Sequence, residues 1–210
     1  MLSGHGHDVA TLARTTREDW IASADAALSA LVAESGGPVA IVGMSAGGLI
    51  ALYLTLTRPK EVRALVLLAT PVKLSAAAAV KIRLALLLPR MFRPRSLREI
   101  RKPHGPSVND QTFVAGLRSL PAYPLEALGE LLRLMSSVRP RLNEITQPVM
   151  IAHGQLDPTV TSAQIDALAG ALTNAARVER LSLPASAHLV AIDRDRDLLR
   201  ARVISFLQSV

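Results

Sequence analysis

Residues 40–50 read AIVGMSAGGLI, and this stretch carries most of the information about the fold. A short apolar run, Val39–Val42, ends at Gly43, and a second apolar run, Leu49–Leu56, begins after Ser45 and two glycines. Four apolar residues bounded by glycine are typical of a buried β-strand, whereas the second run is long enough for a helix that ends near Arg58-Pro59. The stretch therefore predicts a strand, a tight turn that holds Ser45, and a helix.

The turn has the form G-x-S-x-G in the residues Gly43-Met44-Ser45-Ala46-Gly47. Between a strand and a helix this pattern is typical of a nucleophilic serine on a sharp turn. Such a serine has a strained backbone at a sharp turn. We therefore expect Gly43 and Gly47, two positions to either side, to be glycine because a larger side chain would not fit. The start of the helix directs backbone N–H groups toward developing negative charge. The alternative interpretation is a tight structural turn without chemistry.

A serine nucleophile needs a base and an acid that orients the base. Asp157 follows the apolar run Pro148–Gly154, and His188 follows the run Val178–Leu183, so both side chains are predicted on loops at strand ends. Their order along the chain, serine then aspartate then histidine, is the order that this strand–turn–helix arrangement requires. We therefore predict a Ser45–His188–Asp157 triad.

The other histidines and acids have plainer interpretations. His153 lies at the end of a strand and is predicted to be structural or to line the site. Asp193 competes with Asp157 but lies just before a helix, and Asp166 is predicted on a helix surface. The remaining histidines lie in the N-terminal loop and in a proline-rich segment: His5, His7 and His104.

Apolar runs and amphipathic segments alternate along the chain, which predicts an α/β protein with a largely parallel sheet covered on both faces. Predicted strands are Val39–Val42, Val62–Thr70, Pro148–Gly154 and Val178–Leu183. The first predicted helix starts at Thr16 as N-cap, with Trp20, Ala24, Ala27, Leu28 and Leu31 on one face. Later helices are predicted over Ser162–Leu172 and after Asp195, the last one burying Leu198, Leu199, Val203, Ile204 and Leu207.

One long segment, residues 71–146, contains helical patterns and many prolines but no convincing strand. We predict a helical cap inserted into a core formed by residues 1–70 and 147–210. Apolar residues of the cap are predicted either to roof a pocket or to pack on the core: Leu84, Leu87, Leu88, Met91 and Phe92.

The composition is that of a globular protein, with 50% hydrophobic and 20% charged residues in 210. The net charge is +7, and a large part of the excess is in one stretch: Lys81, Arg83, Arg90, Arg93, Arg95, Arg98, Arg101 and Lys102. A solvated basic face is favoured over nucleic-acid binding, because Phe92 is the only aromatic residue among these charges and no nucleic-acid motif accompanies them. Weak contact with an anionic membrane surface is a further hypothesis.

The N-terminal sequence MLSGHGHDVA lacks the basic start and apolar run of a signal peptide, and no apolar segment approaches the ~18 residues of a membrane span. The chain has no cysteine, which excludes disulfides and thiolate metal sites and fits a reducing compartment. We therefore expect a soluble, cytoplasmic protein.

With these motifs the chain resembles the α/β-hydrolase superfamily, in particular the carboxylesterases and monoacylglycerol lipases. VGMSAGG is similar to the nucleophile turn of that group, HGQLDPTV to its acid loop, and SAHLVAIDRDRDLL to its histidine loop. The resemblance implies that Ser45 attacks an ester carbonyl, His188 transfers the proton and Asp157 orients His188. It also implies one oxyanion donor, the N–H of Ala46, a small-molecule ester substrate, and no cofactor or metal.

The chain departs from the family pattern at its start. Members begin with further strands and a His-Gly loop that supplies a second oxyanion donor, and no strand precedes His5-Gly6 here. We therefore expect the strand Val39–Val42 to have an unpaired apolar edge, open to self-association. Two hypotheses follow: a serine esterase for small acyl or monoacylglycerol-type esters, or a catalytically impaired fragment that acts as a binding module. Acyl and alcohol specificity, and related thioester, acyl-transfer or haloperoxidase chemistry, stay open.

Overall fold

The computed structural model describes residues 2–101, 107–112 and 119–210, so predicted features at Lys102 and His104 lie outside the described residues. The helices are α1 (Val9–Leu12), α2 (Arg17–Ser35), α3 (Ala46–Thr57), α4 (Ala76–Leu87), α5 (Arg95–Arg98), α6 (Leu125–Val138), α7 (Ser162–Ala171) and α8 (Arg196–Gln208). The strands are β1 (Val39–Met44), β2 (Val62–Leu68), β3 (Glu99–Arg101), β4 (Ala122–Pro124), β5 (Val149–Gly154) and β6 (Val178–Leu183). Short 3₁₀ turns span Arg90–Phe92 and Arg139–Glu144.

Among the described residues, the main sheet has four parallel strands in the order β1-β2-β5-β6. Its strands are largely buried runs of Val, Leu, Ile and Ala, as expected when helices cover both faces of a parallel sheet. The α/β class with a parallel sheet is thus confirmed. All four strands end at the same edge, and this edge receives the loops that carry the predicted site residues.

Strand β2 contributes residues to two apolar layers, one on each face of the sheet. Its residues Leu65 and Leu67 belong to a cluster formed with α2, α3, α6 and α7. Its residues Ala64, Val66 and Leu68 face the other way, onto Leu199 and Phe206 of α8. Because every second residue of a strand points to the same face, an uninterrupted apolar sequence can supply both layers.

Helix α2 begins as its sequence predicts. Thr16 is the N-cap, its hydroxyl accepts from the N–H of Asp19, and the Asp19 carboxylate accepts from the N–H of Thr16. Gly36 ends the helix in the left-handed conformation with φ 69°. Trp20 and Leu28 are buried as predicted, whereas Leu31 on the same predicted face is 47% exposed.

The exposed part of α2 lies beside the edge of the sheet. Within the described residues, β1 pairs only with β2, and Val42 in the middle of β1 is half-exposed. A groove of about 440 Å³ runs between β1, α2 and α3, and Leu31, Val42 and Gly47 line it. Self-association through this edge stays a prediction.

Two features of the inserted segment bear on its prediction. First, β3 and β4 form a small antiparallel hairpin where no strand was predicted. Each strand has only three residues and β4 includes Pro124, so neither produces a recognisable alternating pattern. Second, α6 packs directly on α2 and α3 and buries Leu134 and Val138 there. The division into a core and a cap over 71–146 stays a prediction.

Three predictions of burial are wrong. On α8, Leu198 and Ile204 are 46% and 49% exposed, because helical periodicity groups Leu199, Val203 and Phe206 on the inner face instead. Arg93 is not solvated but 7% exposed, since its guanidinium pairs with Glu126 at 2.8 Å. Packing on the core is wrong for the apolar cap residues, which are exposed to solvent, whereas their role in roofing a pocket stays a prediction: Leu84, Leu87, Leu88, Met91 and Phe92.

No helix in the described part of the chain is both long and apolar enough to cross a lipid bilayer.

Candidate active site

Ser45 lies at the turn between β1 and α3 and has a strained backbone. Its φ of 53° and ψ of −120° fall in a region that non-glycine residues rarely occupy. The N–H of Ser45 donates to the carbonyl of Leu68 at 2.8 Å, which anchors the turn to the end of β2. Ser45 occupies the N-cap position of α3, yet its side chain makes no capping hydrogen bond. The hydroxyl is therefore available for another partner.

Two glycines near Ser45 are required for space, but they are not the predicted pair. A Cβ on Gly43 would lie 2.5 Å from the carbonyl oxygen of Gly47 and 2.7 Å from the Cα of Gly48. A Cβ on Gly48 would collide with the hydroxyl of the buried Thr70. In contrast, apart from its chain neighbours and the backbone of α3, no described atom lies within 4 Å of a Cβ on Gly47. The expectation that Gly47 must be glycine for lack of space is therefore wrong. The crowded atom of Gly47 is its carbonyl oxygen, which lies next to the Cβ position of Gly43.

His188 contacts both of its predicted partners. Its Nε2 is 3.0 Å from the Oγ of Ser45, and its Nδ1 is 2.7 Å from Oδ2 of Asp157. A carboxylate can only accept, so Nδ1 carries the proton and Nε2 of the neutral ring accepts from the serine hydroxyl. The Asp157 side chain is fully buried and its Oδ1 accepts from the N–H groups of Thr159 and Val160. These bonds fix the orientation of the carboxylate toward His188.

The acid loop and the histidine loop are joined by backbone contacts. Gly154 ends β5, and a Cβ at this position would collide with the carbonyl oxygens of Ser186 and Ala187. The N–H of Leu156 donates to the carbonyl of Ser186 at 3.1 Å. Close approach of the two loops therefore depends on a residue without a side chain.

The alternative candidates do not join this group. His153 is buried, and its Nε2 is 3.2 Å from the hydroxyl of Ser162, in accord with a structural role. Burial, followed by the charge of Arg180, lowers the pKa of His153. Asp166 is an exposed residue of α7 that pairs with Arg180, as expected for a helix surface. His5 packs edge-on against the ring of Trp20, with the ring centres 5.7 Å apart.

Asp193 has a larger role than its sequence position suggested. Its fully buried carboxylate accepts from the N–H groups of Ala187, Arg194, Asn109 and Asp110 at 2.7 to 3.0 Å. Burial alone raises the pKa of Asp193, but these backbone donors outweigh it, so the net shift is downward. The residue binds the histidine loop to the segment 107–112, a contact between distant parts of the sequence that no local pattern signals.

The inserted segment contacts the histidine loop at Ser107. Burial, followed by the negative charge of Asp157, raises the pKa of Tyr123 in β4. The N–H of Leu189, next to His188, donates to the carbonyl of Ser107 at 3.0 Å. Within the described ranges, no group of three His, Cys, Asp or Glu side chains is arranged to hold a metal ion.

A parallel sheet with a strained serine between strand and helix, and a histidine and an aspartate on later strand-end loops, defines an α/β-hydrolase. The family model described as "serine aminopeptidase, S33" matches residues 2–195. The chain therefore belongs to this family of α/β-hydrolases, and the predicted superfamily and hydrolase class are confirmed. No curated protein matches the sequence.

Solved structures share the fold at low sequence identity. A structure of the metagenome-derived lipolytic enzymes LipS and LipT is 20% identical, with a TM-score of 0.84 over 100% of this chain and 80% of the other. A monoacylglycerol lipase from Paleococcus ferrophilus is 17% identical, with a TM-score of 0.73 over 93% and 77%. A monoglyceride lipase from Saccharomyces cerevisiae, solved with a substrate analogue, is 17% identical, with a TM-score of 0.67 over 91% and 68%.

Proposed function

We propose that the protein is a serine hydrolase of carboxylic esters, acting through Ser45, His188 and Asp157. One observation carries the proposal: the Ser45 hydroxyl is 3.0 Å from His188, which is held 2.7 Å from a buried carboxylate. A serine that makes no capping hydrogen bond, in a strained conformation and next to an oriented base, has the arrangement that nucleophilic catalysis requires.

The proposed reaction has two halves. Ser45 Oγ attacks the ester carbonyl carbon while Nε2 of His188 takes the hydroxyl proton, and the tetrahedral oxyanion collapses to an acyl-serine. The alcohol leaves with the proton from His188. Water then attacks the acyl-serine, again with His188 as base, and releases the carboxylic acid and the free serine.

Two further groups stabilise the charges that develop during the reaction, which are the imidazolium of His188 and the tetrahedral oxyanion. Asp157 stabilises the imidazolium form of His188 across the 2.7 Å contact. Ala46 is the first residue of α3, so its N–H lies outside the intrahelical hydrogen-bond ladder and is proposed as an oxyanion donor. Loss of one oxyanion donor lowers the rate by roughly 10²–10³ in a serine protease.

The substrate class is proposed from the likeness to lipolytic enzymes and monoacylglycerol lipases: small acyl esters or monoacylglycerol-type esters. The test is turnover of p-nitrophenyl esters from acetate to laurate and of a monoacylglycerol, with aminoacyl p-nitroanilides to measure aminopeptidase activity. We expect ester turnover that falls roughly 10⁴-fold in Asp157→Asn and at least as far in Ser45→Ala. Ser35→Ala, which changes an exposed serine on α2, is the matched control.

Two results would replace this proposal. Faster cleavage of the anilides than of all esters would favour an aminopeptidase with the same nucleophile. A folded protein that hydrolyses neither class would favour the catalytically impaired binding module.

A further inference from the structure

Helix α4 is apolar on the side that faces solvent. Val80, Leu84 and Leu87 lie at helical spacing on one face and are 51%, 60% and 78% exposed. The opposite face is occupied by Ile82 and Ala85, which are buried in the core. A surface helix normally presents polar side chains to water, so α4 has an apolar face with no partner among the described residues.

Exposed apolar residues continue along the chain beyond the helix. Leu88 and the 3₁₀ turn residues Met91 and Phe92 are 44%, 76% and 69% exposed. A single exposed apolar residue needs no explanation, but a contiguous set of large ones marks an interaction surface. We call the set the α4 surface; it comprises Val80, Leu84, Leu87, Leu88, Met91 and Phe92.

Cations border the α4 surface. At 3.6 residues per turn, Lys81 and Arg83 lie on opposite sides of the stripe formed by Val80, Leu84 and Leu87, and both are exposed. Arg90 is exposed in the turn that follows. Between Pro71 and Arg101 the sequence has one acidic residue, Glu99, and the nearby Glu126 pairs with Arg93 and Arg90.

We propose that the α4 surface docks on an anionic lipid surface. Exposed leucine, methionine and phenylalanine side chains enter the boundary between headgroups and acyl chains, and Lys81, Arg83 and Arg90 contact the anionic headgroups. Charge complementarity favours this occupant over a second copy of the chain, because a symmetric contact through this surface would bring like charges together. The inference does not depend on Ser45 and holds whatever ester is cleaved.

The test is co-sedimentation of the full chain with vesicles of phosphatidylcholine, or of equal parts phosphatidylcholine and phosphatidylglycerol. We expect binding to the mixed vesicles, at least tenfold weaker binding to phosphatidylcholine alone, and loss of binding at about 1 M salt, where charges are screened within about 3 Å. The double variant Lys81→Gln/Arg83→Gln should weaken binding to the mixed vesicles about 25-fold, or about fivefold for each cation removed.

The apolar part is tested by the triple variant Leu84→Gln/Leu87→Gln/Met91→Gln, which should lose at least tenfold in binding. Its matched control is Leu198→Gln/Ile204→Gln, because these residues are exposed apolar side chains on α8. Arg200→Gln, an exposed arginine of α8, is the control for charge. Both controls should bind like the parent, and circular dichroism should show that all variants are folded.

Several outcomes would overturn the proposal. One is a folded parent that does not pellet with the mixed vesicles. Another is equal binding by the parent and by both α4 variants. A third is a solution dimer that the triple variant dissociates while vesicle binding is absent, which would make the occupant a second copy. Binding of the parent to an acidic protein, with no binding to the mixed vesicles, would likewise replace lipid as the partner.

Discussion

The glycines in the turn around Ser45 differ in the space available for a side chain. This difference should appear in the free energy of unfolding of alanine variants. Gly43→Ala should lower the free energy of unfolding by about 3 kcal/mol, the upper part of the range for overpacking, because its Cβ would meet backbone atoms of Gly47 and Gly48. Gly47→Ala should leave the stability unchanged or raise it by about 0.4–1 kcal/mol, since beyond its chain neighbours and the backbone of α3 no described atom is near. Urea unfolding distinguishes the two. Equal losses in both variants would contradict the geometry of the turn.

The carboxylate of Asp193 holds the histidine loop, so its replacement should affect both stability and turnover. Asp193→Asn replaces an oxygen acceptor with an amide and leaves at least one buried N–H without a partner. We expect a loss of about 1–3 kcal/mol in the free energy of unfolding and a lower kcat with little change in KM. Chemical denaturation and steady-state kinetics measure these quantities.

Asp166→Asn is the matched control, since it removes an exposed ion pair with Arg180 and should change the stability by less than about 1 kcal/mol. Equal effects of the two substitutions would show that Asp193 does not hold the loop.

The residues of the site were predictable to different degrees. Ser45, Asp157 and His188 follow strand ends in the order that one known arrangement requires, so their proximity could be predicted from local patterns. Asp193 could not be assigned in this way, because its role depends on Asn109 and Asp110, which no sequence periodicity connects to it.

At the scale of elements, helix α8 has one buried face and one exposed face. Phe206 is 2% exposed and packs on the sheet, whereas Ile204 is 49% exposed. Phe206→Ala should lower the free energy of unfolding by about 3–5 kcal/mol, and Ile204→Ala by less than about 1 kcal/mol. Thermal or urea unfolding of the two variants provides the comparison. A larger loss for Ile204→Ala would mean that α8 packs on the sheet by its other face.

The positions of the helices and strands were largely predictable, but the side that each helix buries was less so. Strand positions followed from short apolar runs, and the start of α2 followed from its capping residues. The inner face of α8 was assigned wrongly because apolar residues occur around most of that helix, so periodicity alone does not select a side. The β3–β4 hairpin was missed since three-residue strands carry almost no pattern.

For the whole molecule, the buried His153 makes stability dependent on pH. Its folded-state pKa lies below the ordinary value of 6.5, so below that pH the unfolded chain binds more protons than the folded one. The stabilising contribution is complete above pH 6.5 and is lost as the pH falls toward the lowered folded-state value. In His153→Gln the free energy of unfolding should therefore decrease less over this interval than in the parent, as urea titrations at successive pH values would show.

His7→Gln, which removes an exposed histidine, is measured alongside as the control. The same pH dependence in the parent and in His153→Gln would contradict the burial of a neutral imidazole.

The central claim is that segments far apart in sequence assemble into a reactive serine site. The most direct measurement is labelling of the purified chain with a fluorophosphonate probe, which modifies only an activated serine. We predict labelling of the parent and of Ser35→Ala, and none of Ser45→Ala or His188→Ala. Labelling that persists in Ser45→Ala, or a folded parent that is not labelled at all, would contradict the account.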